Sequence, residues 1–191
     1  MDVNRPTRAM HPWMRCALAA LFASILSAAT TAQNAMDKER REAVFLHNVL
    51  TFVQWNGPPP PAFEFCVEGN ALLGFVLDRE LRNATIHGAK TKVRLVDRHT
   101  DLKDCQALVF ADSNPRQVAK QLAALKGATL ITFGNSDQFL ESGGVFQFMD
   151  DDGRLQFGVN LESARAAGIQ IDARLLALAK HVVKTGKVFG G

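Results

Sequence analysis

Cys66 and Cys105 offer more chemistry than any other pair of residues in this 191-residue chain. Two thiols can form a disulfide, hold a soft metal or supply a thiolate nucleophile. The compartment decides between these, and the N terminus decides the compartment. Residues 1–32 read as a secretion signal. Arg5, Arg8 and Arg15 give a positive start, Cys16 to Ala29 form an apolar run, and Thr30 and Ala32 supply small side chains before Gln33. The run falls short of the roughly 20 apolar residues of a membrane span, although an uncleaved N-terminal anchor is the alternative. Cys16 belongs to this segment and leaves with it. Paired cysteines in an exported domain usually form a disulfide. A Cys66–Cys105 bridge would close a loop of about 40 residues and contribute roughly 4 kcal/mol in the chain-entropy model. Two buried free thiols are the alternative. A metal site fits less well, because no histidine stands at ligand spacing from either cysteine.

The other chemistry-bearing groups are weaker. Glu68-Gly69-Asn70 follows an apolar strand pattern, and Asp112 follows another, so Gly69, Asn70 and Asp112 are candidate small-ligand residues beyond the carboxyl ends of strands. The turn lacks the glycine spacing of a dinucleotide or phosphate loop. Asp150-Asp151-Asp152-Gly153 fails as a calcium loop. Placing Gly153 sixth puts Phe148 first and Val159 twelfth, where carboxylates are required. His47, His87, His99 and His181 have no second ligand at helical spacing. There is no G-x-S-x-G sequence and no recognisable pairing of serine with histidine, and Ser113 and Ser136 read as helix caps. The expectation is a binding protein with no catalytic residues, no cofactor and no metal.

Composition bounds the partners. The chain has 22 basic and 19 acidic residues. Removing residues 1–32 takes away three basic residues and one acidic, leaving 19 and 18. That near-neutral balance gives no case for nucleic acid, and no segment after the signal is long and apolar enough to span a membrane. Thirteen Phe against no Tyr point to core filling.

The elements that position these residues follow from periodicity. Met36 to Gln54 reads as an amphipathic helix with Phe45, Val49, Phe52 and Val53 inward, ended by Trp55 and Gly57. Phe63 to Val67 is a strand, Ala71 to Leu81 a helix, Lys92 to Val96 a strand and Ala107 to Ala111 a strand apolar on both faces. Asp112-Ser113-Asn114-Pro115 starts a helix running to about Leu125. Thr129 to Phe133 is a strand and Asp137 to Glu141 a short helix. Val145 to Met149 and Arg154 to Val159 form a hairpin. Asn160 caps a helix over Leu161 to Ala167, Ile169 to Ile171 crosses back, and Asp172 caps a last helix over Ala173 to Lys184. The fold class is therefore α/β: a single domain over 33–191 with its core at about 41–184. It has a largely parallel mixed sheet, helices on both faces and one antiparallel hairpin. Where apolar and polar residues mix near the expected sheet edge, Phe146, Arg165, Ile169 and Gln170 are candidates for contacting a partner. Trp55 and Leu176 are assigned to packing.

The ordered pieces Glu42-Ala43-Val44-Phe45-Leu46-His47-Asn48, Phe52-Val53-Gln54-Trp55 and Phe65-Cys66-Val67-Glu68-Gly69 are followed by Leu102 to Phe110 and Gly127 to Phe133. Gly143-Gly144-Val145-Phe146-Gln147-Phe148 and Gly153 to Asn160 complete the set, with Ala164, Gly168-Ile169 and Leu175-Leu176 behind them. The set resembles the YfiR/HmsC family of periplasmic proteins over about Arg41 to Lys184. The resemblance implies a regulator that binds the periplasmic part of an inner-membrane diguanylate cyclase and represses cyclic di-GMP synthesis, and hence biofilm formation. It also implies capture by an OmpA-like outer-membrane lipoprotein, a homodimer, and a stabilising bridge at Cys66 and Cys105. A second cysteine pair of the family's best-known repressor has no counterpart, since Gly143 to Asp152 holds no cysteine. The alternative is a periplasmic small-ligand sensor serving another membrane signalling protein.

Overall fold

One strand organises the molecule: Ala62–Glu68 (β2), whose side chains are buried on both faces over most of its length. The computed structural model describes residues 33–58, 60–151, 153–184 and 187–190, so the secretion-signal reading of 1–32 lies outside the described residues. The chain divides into two units, Met1–Asp37 and Lys38–Gly191, and the second carries the sheet. Helix α1 covers residues 33–50, and Val53–Trp55 is strand β1. After β2 come α2 (Ala71–Leu81), the short β3 (Thr85–Ile86) and β4 (Ala89–Val96), then β5 (Ala107–Phe110), α3 (Pro115–Ala124) and β6 (Ile131–Gly134). The hairpin is β7 (Phe146–Asp151) and β8 (Arg154–Asn160). The chain ends with α4 (Leu161–Ala166), β9 (Ile169–Ile171), α5 (Ala173–Leu176), β10 (His181–Lys184) and β11 (Lys187–Gly190).

Nine strands form one sheet in the order β11-β10-β8-β7-β6-β5-β2-β4-β3, and β1 pairs with β9 in a separate two-stranded sheet. β2 runs parallel to both β4 and β5, β5 parallel to β6, β6 parallel to β7 and β8 parallel to β10. The antiparallel pairs are the β7–β8 hairpin and the two edge pairs. Successive residues of a strand face opposite sides, and β2 shows what covers each. Gly74 of α2 packs beside Val67. Cys66 joins Val118 and Leu122 of α3 in one apolar cluster, and Gln121 of α3 bonds Glu68. Helices thus lie on both faces, as a largely parallel sheet requires. The fold class expected from sequence is the one observed.

Three boundaries differ from the sequence reading. The first helix stops at residue 50 rather than Gln54. Thr51 and Phe52 tighten onto Asn48 and Val49, and Val53, Gln54 and Trp55 instead pair antiparallel with Ile171, Gln170 and Ile169. Asp137 to Glu141 is a run of hydrogen-bonded turns, not a helix, because Gln138 adopts a positive φ of 62°. Those turns drop the Phe139 ring between Gly134 and Gly144, where a Cβ on either glycine would lie 2.3 or 2.0 Å from the ring. The last helix is a single turn, Ala173–Leu176, and His181–Lys184 is a strand pairing with β8. Val182 and Val183 are β-branched and favour the pleated conformation. The period of Leu175, Leu176, Ala179 and Val183 is compatible with a helix, but Gly158 leaves room for the His181 backbone beside β8.

Cys66 and Cys105 form the disulfide, both buried, with Cα atoms 5.9 Å apart. The bridge ties β2 to the segment entering β5. Replacing either cysteine by serine, or reducing the protein, should lower its unfolding free energy by about 4 kcal/mol. Urea denaturation of oxidised and reduced protein checks this, and equal midpoints would contradict it.

Candidate functional site

The sheet reverses its order at β2. From β2 the chain passes through α2 to β4 on one side, and β5 lies on the other side, so the carboxyl ends of β2 and β5 bound a topological switch point. Such points are where open α/β sheets bind ligands. Gly69 leaves β2 with φ +94°, and a Cβ there would stand 2.0 Å from the Ala111 carbonyl oxygen and 2.6 Å from Ser113 Oγ. Only glycine fits. Asn70 caps α2, its Oδ1 accepting from the Leu73 N–H at 2.9 Å. Its Nδ2 donates to Asp112 at 2.7 Å and to Glu39 at 3.1 Å. Asp112 sits in the left-handed region at φ 56° and also accepts from Asn135 at 3.4 Å. Gly69, Asn70 and Asp112 are therefore brought together, as their places after two strands predicted. Asn114, rather than Ser113, caps α3 through the Arg116 N–H at 3.0 Å.

Sequence reasoning did not foresee the residues that close over this point. Lys38, Glu39 and Glu42 come from α1, and Glu39 and Glu42 are buried. Burial pushes the Glu42 carboxyl up to about 7, with Glu39 and Asp112 adding to the shift and Lys38 opposing it. Burial also raises Glu39, against Lys38 and the Asn70 hydrogen bond. Burial works against the charge on Lys38, but Glu42, Asp112, Glu39 and Asp150 outweigh it and raise its pKa. Glu39 and Glu42, three apart, do fall on the same helical face as Ala43 and Leu46, but acids in the first turns of a helix equally suit a solvated face.

At the disulfide, the Arg94 guanidinium lies 3.5 Å from Cys105 Sγ and is paired with Glu64. Glu64, Cys66 and Cys105 are the one grouping of possible metal ligands among the described residues, and the bridge commits both sulfurs.

The expected partner surface divides in two. Phe146 is fully buried and stacks on Phe133 with ring centres 5.3 Å apart, and Ile169 is 2% exposed. The reason is topological. The sheet continues past the hairpin through β10 and β11, so β7 and β8 are interior strands and the expected edge is not there. Arg165 and Gln170 are exposed, and Gln170 donates to Asn56 at 3.2 Å. Asn56 lies at the mouth of a cleft of about 530 Å³ lined also by Trp55, Phe63, His87, Gln106 and Thr129. This cleft lies near the amino ends of β2 and β5, at the opposite end of the sheet from the switch point. Trp55 packs edge-on against Phe63 and His87, as its packing assignment implies, but its buried Nε1 has no hydrogen-bond partner. A second cleft of about 480 Å³ runs between α3 and α4. No described helix is long and apolar enough to cross a membrane.

The described residues thus form a largely parallel α/β sheet with a bridged core and a polar cluster at its switch point. Residues 39–180 match the YfiR/HmsC-like family, and the chain belongs to that family. Membership supports a periplasmic regulatory role in the diguanylate cyclase pathway. No curated protein matches the chain. A crystal structure of a conserved domain protein from Vibrio cholerae has a TM-score of 0.51 at 15% identity, covering 76% of this chain and 60% of its own. It shares the fold. The ABC domain of a Streptococcus pneumoniae protein, solved in complex with L-Trp, has a TM-score of 0.47 at 12% identity over 65% of this chain and 56% of its own. The chain thus spans less than two thirds of either solved chain.

Gly69→Ala should destabilise the domain by about 1–3 kcal/mol, since the new Cβ meets backbone at a positive φ. Asn70→Ala should cost about 1 kcal/mol for the lost cap. Chemical denaturation ranks the two, and a neutral Gly69→Ala would contradict the close contact.

Proposed function

We propose that the protein binds the periplasmic part of an inner-membrane diguanylate cyclase and holds it in its inactive state, lowering cyclic di-GMP and biofilm formation. Family membership over residues 39–180 is the observation that carries this reading. In this reading residues 1–32 are a cleaved secretion signal, 33–191 form one periplasmic domain, and an OmpA-like outer-membrane lipoprotein competes for it. The domain acts as a homodimer and not as an enzyme. Repression is a population shift: the domain binds the inactive cyclase more tightly than the active one. Arg165 and Gln170 are the exposed members of the expected partner surface. The adjacent cleft at Trp55 and Asn56 extends the face available for contact.

A second reading rests on the meeting of Gly69, Asn70 and Asp112 at the switch point: a small ligand bound there tunes affinity for a membrane signalling protein. Thermal shift against periplasmic metabolites separates the two readings, since a pure interaction module gives no shift.

Capture of membrane proteins on the oxidised domain should recover a protein with a periplasmic sensor and a cytoplasmic cyclase domain. Deleting the gene should raise cellular cyclic di-GMP. Arg165→Glu with Gln170→Ala should weaken capture by about tenfold or more while leaving the melting temperature unchanged. Recovery of a histidine kinase or a transporter instead would remove the cyclase from this function.

A further inference from the structure

The face of α1 that meets the sheet carries two acids where a core helix carries apolar groups. Glu39 is 4% exposed and Glu42 is 5% exposed. They stand about one helical turn apart, on the face that continues into the buried Ala43 and Leu46. The Glu39 carboxylate is held on one side only. Its Oε1 accepts from Asn70 at 3.1 Å, while its Oε2 is buried with no hydrogen-bond partner. Asp112 accepts from the same Asn70 amide at 2.7 Å. Glu39 of α1 and Asp112 of the loop after β5 therefore share one amide at the switch point, and Glu42 stands near enough to both for their charges to bear on it.

Few charges balance them. On α1, Lys38 Nζ pairs loosely with both, 3.7 Å from Glu42 and 4.0 Å from Glu39, and is one charge against two. Asp112 faces the pair from the loop after β5, and Asp150 of β7 competes for Lys38. Arg40, next along α1, is turned away to Glu80 of α2 at 3.2 Å. The remaining neighbours, Asn70 and Asn135, are neutral donors already bonded to Asp112. With Glu39 and Glu42 both ionised, two buried carboxylates and the exposed Asp112 face one partly exposed lysine, and one buried oxygen has no partner. Such an arrangement is costly to keep charged.

We infer that this cluster is an acid-sensing latch: a proton held between Glu39 and Glu42 seats α1 on the carboxyl ends of β2 and β5, and its loss loosens α1 while the sheet stays folded. The bistable element is α1, bound to the sheet by one face and fastened to α2 by the Arg40–Glu80 pair. The direction follows from linkage. The Glu42 carboxyl rises from 4.5 to about 7 on folding, by burial first and then by Glu39. A carboxyl raised on folding favours the folded arrangement while protonated. Seating is therefore fully favoured below about pH 4.5 and is lost as pH rises through about 7. The latch stands on the geometry of the cluster and not on the identity of the membrane partner, so either can fail without the other.

Hydrogen exchange on the full protein from pH 5 to 8 tests it, reading the protection of amides in residues 39–50 as a ratio to those in α3. The ratio should fall by more than tenfold across that range, since each unit of the rise from 4.5 to about 7 is a factor of ten. Glu42→Gln should hold it nearly constant, and Glu162→Gln, which removes an exposed carboxylate on α4, should leave the wild-type fall intact. A constant ratio in the wild type overturns the latch, as does an unaltered fall in both Glu42→Gln and Glu39→Gln. Should Glu42→Gln fail to fold, a carbon-13 titration of the wild-type Glu42 carboxyl decides: a midpoint near 7 supports the latch, and one below 5 overturns it.

Discussion

β2 has to be paired along both edges and covered on both faces, and nearly every other feature follows from meeting that demand. Its Phe63, Phe65 and Val67 turn to one side and Cys66 to the other, all buried to within a few per cent. Pairing with β4 and β5 satisfies its backbone without help from water. A strand flanked by two parallel neighbours needs crossovers, and crossovers bring helices. α2 covers one face and α3 the other, with the disulfide pinning β2 to the start of β5 on the α3 side. Apolar burial of this extent is the main favourable term in folding. The bridge adds to it by restricting the unfolded chain rather than by creating a contact.

The same demand creates the polar cluster. Placing β4 and β5 on opposite sides of β2 opens a gap where the two chains leave the sheet, and the caps of α2 and α3 stand at its mouth. In many α/β proteins a ligand fills that gap. Here α1 lies across it and supplies carboxylates, and Asn70 joins one of them, Glu39, to Asp112. The Phe rings of the hairpin and β6 then extend the core under α1, with Phe45 against Phe157 and Phe133 stacked on Phe146. Thirteen Phe and no Tyr are consistent with this use. The rings fill volume and leave hydrogen bonding to the amides and carboxylates at the strand ends.

A regulator needs a partner surface that is separate from what holds it together. The interior position of β7 and β8 removes Phe146 from that surface, and pairing of β9 with β1 removes Ile169. What remains exposed is polar, Arg165 and Gln170, beside a cleft whose wall carries an unsatisfied indole N–H.

The sequence by itself determined the α/β class, the order of nearly all elements, the cysteine pair, and the gathering of Gly69, Asn70 and Asp112. Each of these is local. Periodicity marks the strands and helices, caps mark their starts, and a strand end followed by a helix start places residues beyond a sheet whatever the rest of the chain does. Three features were decided only by tertiary structure, because each depends on a neighbour far away in the chain. Val53–Trp55 is extended because Ile169–Ile171 is there to pair with it. His181–Lys184 is a strand because β8 offers an open edge and Gly158 offers room. Glu39 and Glu42 are buried because the switch point needs a cover, and nothing in a helix with acids in its first turns distinguishes a solvated face from one pressed against a sheet.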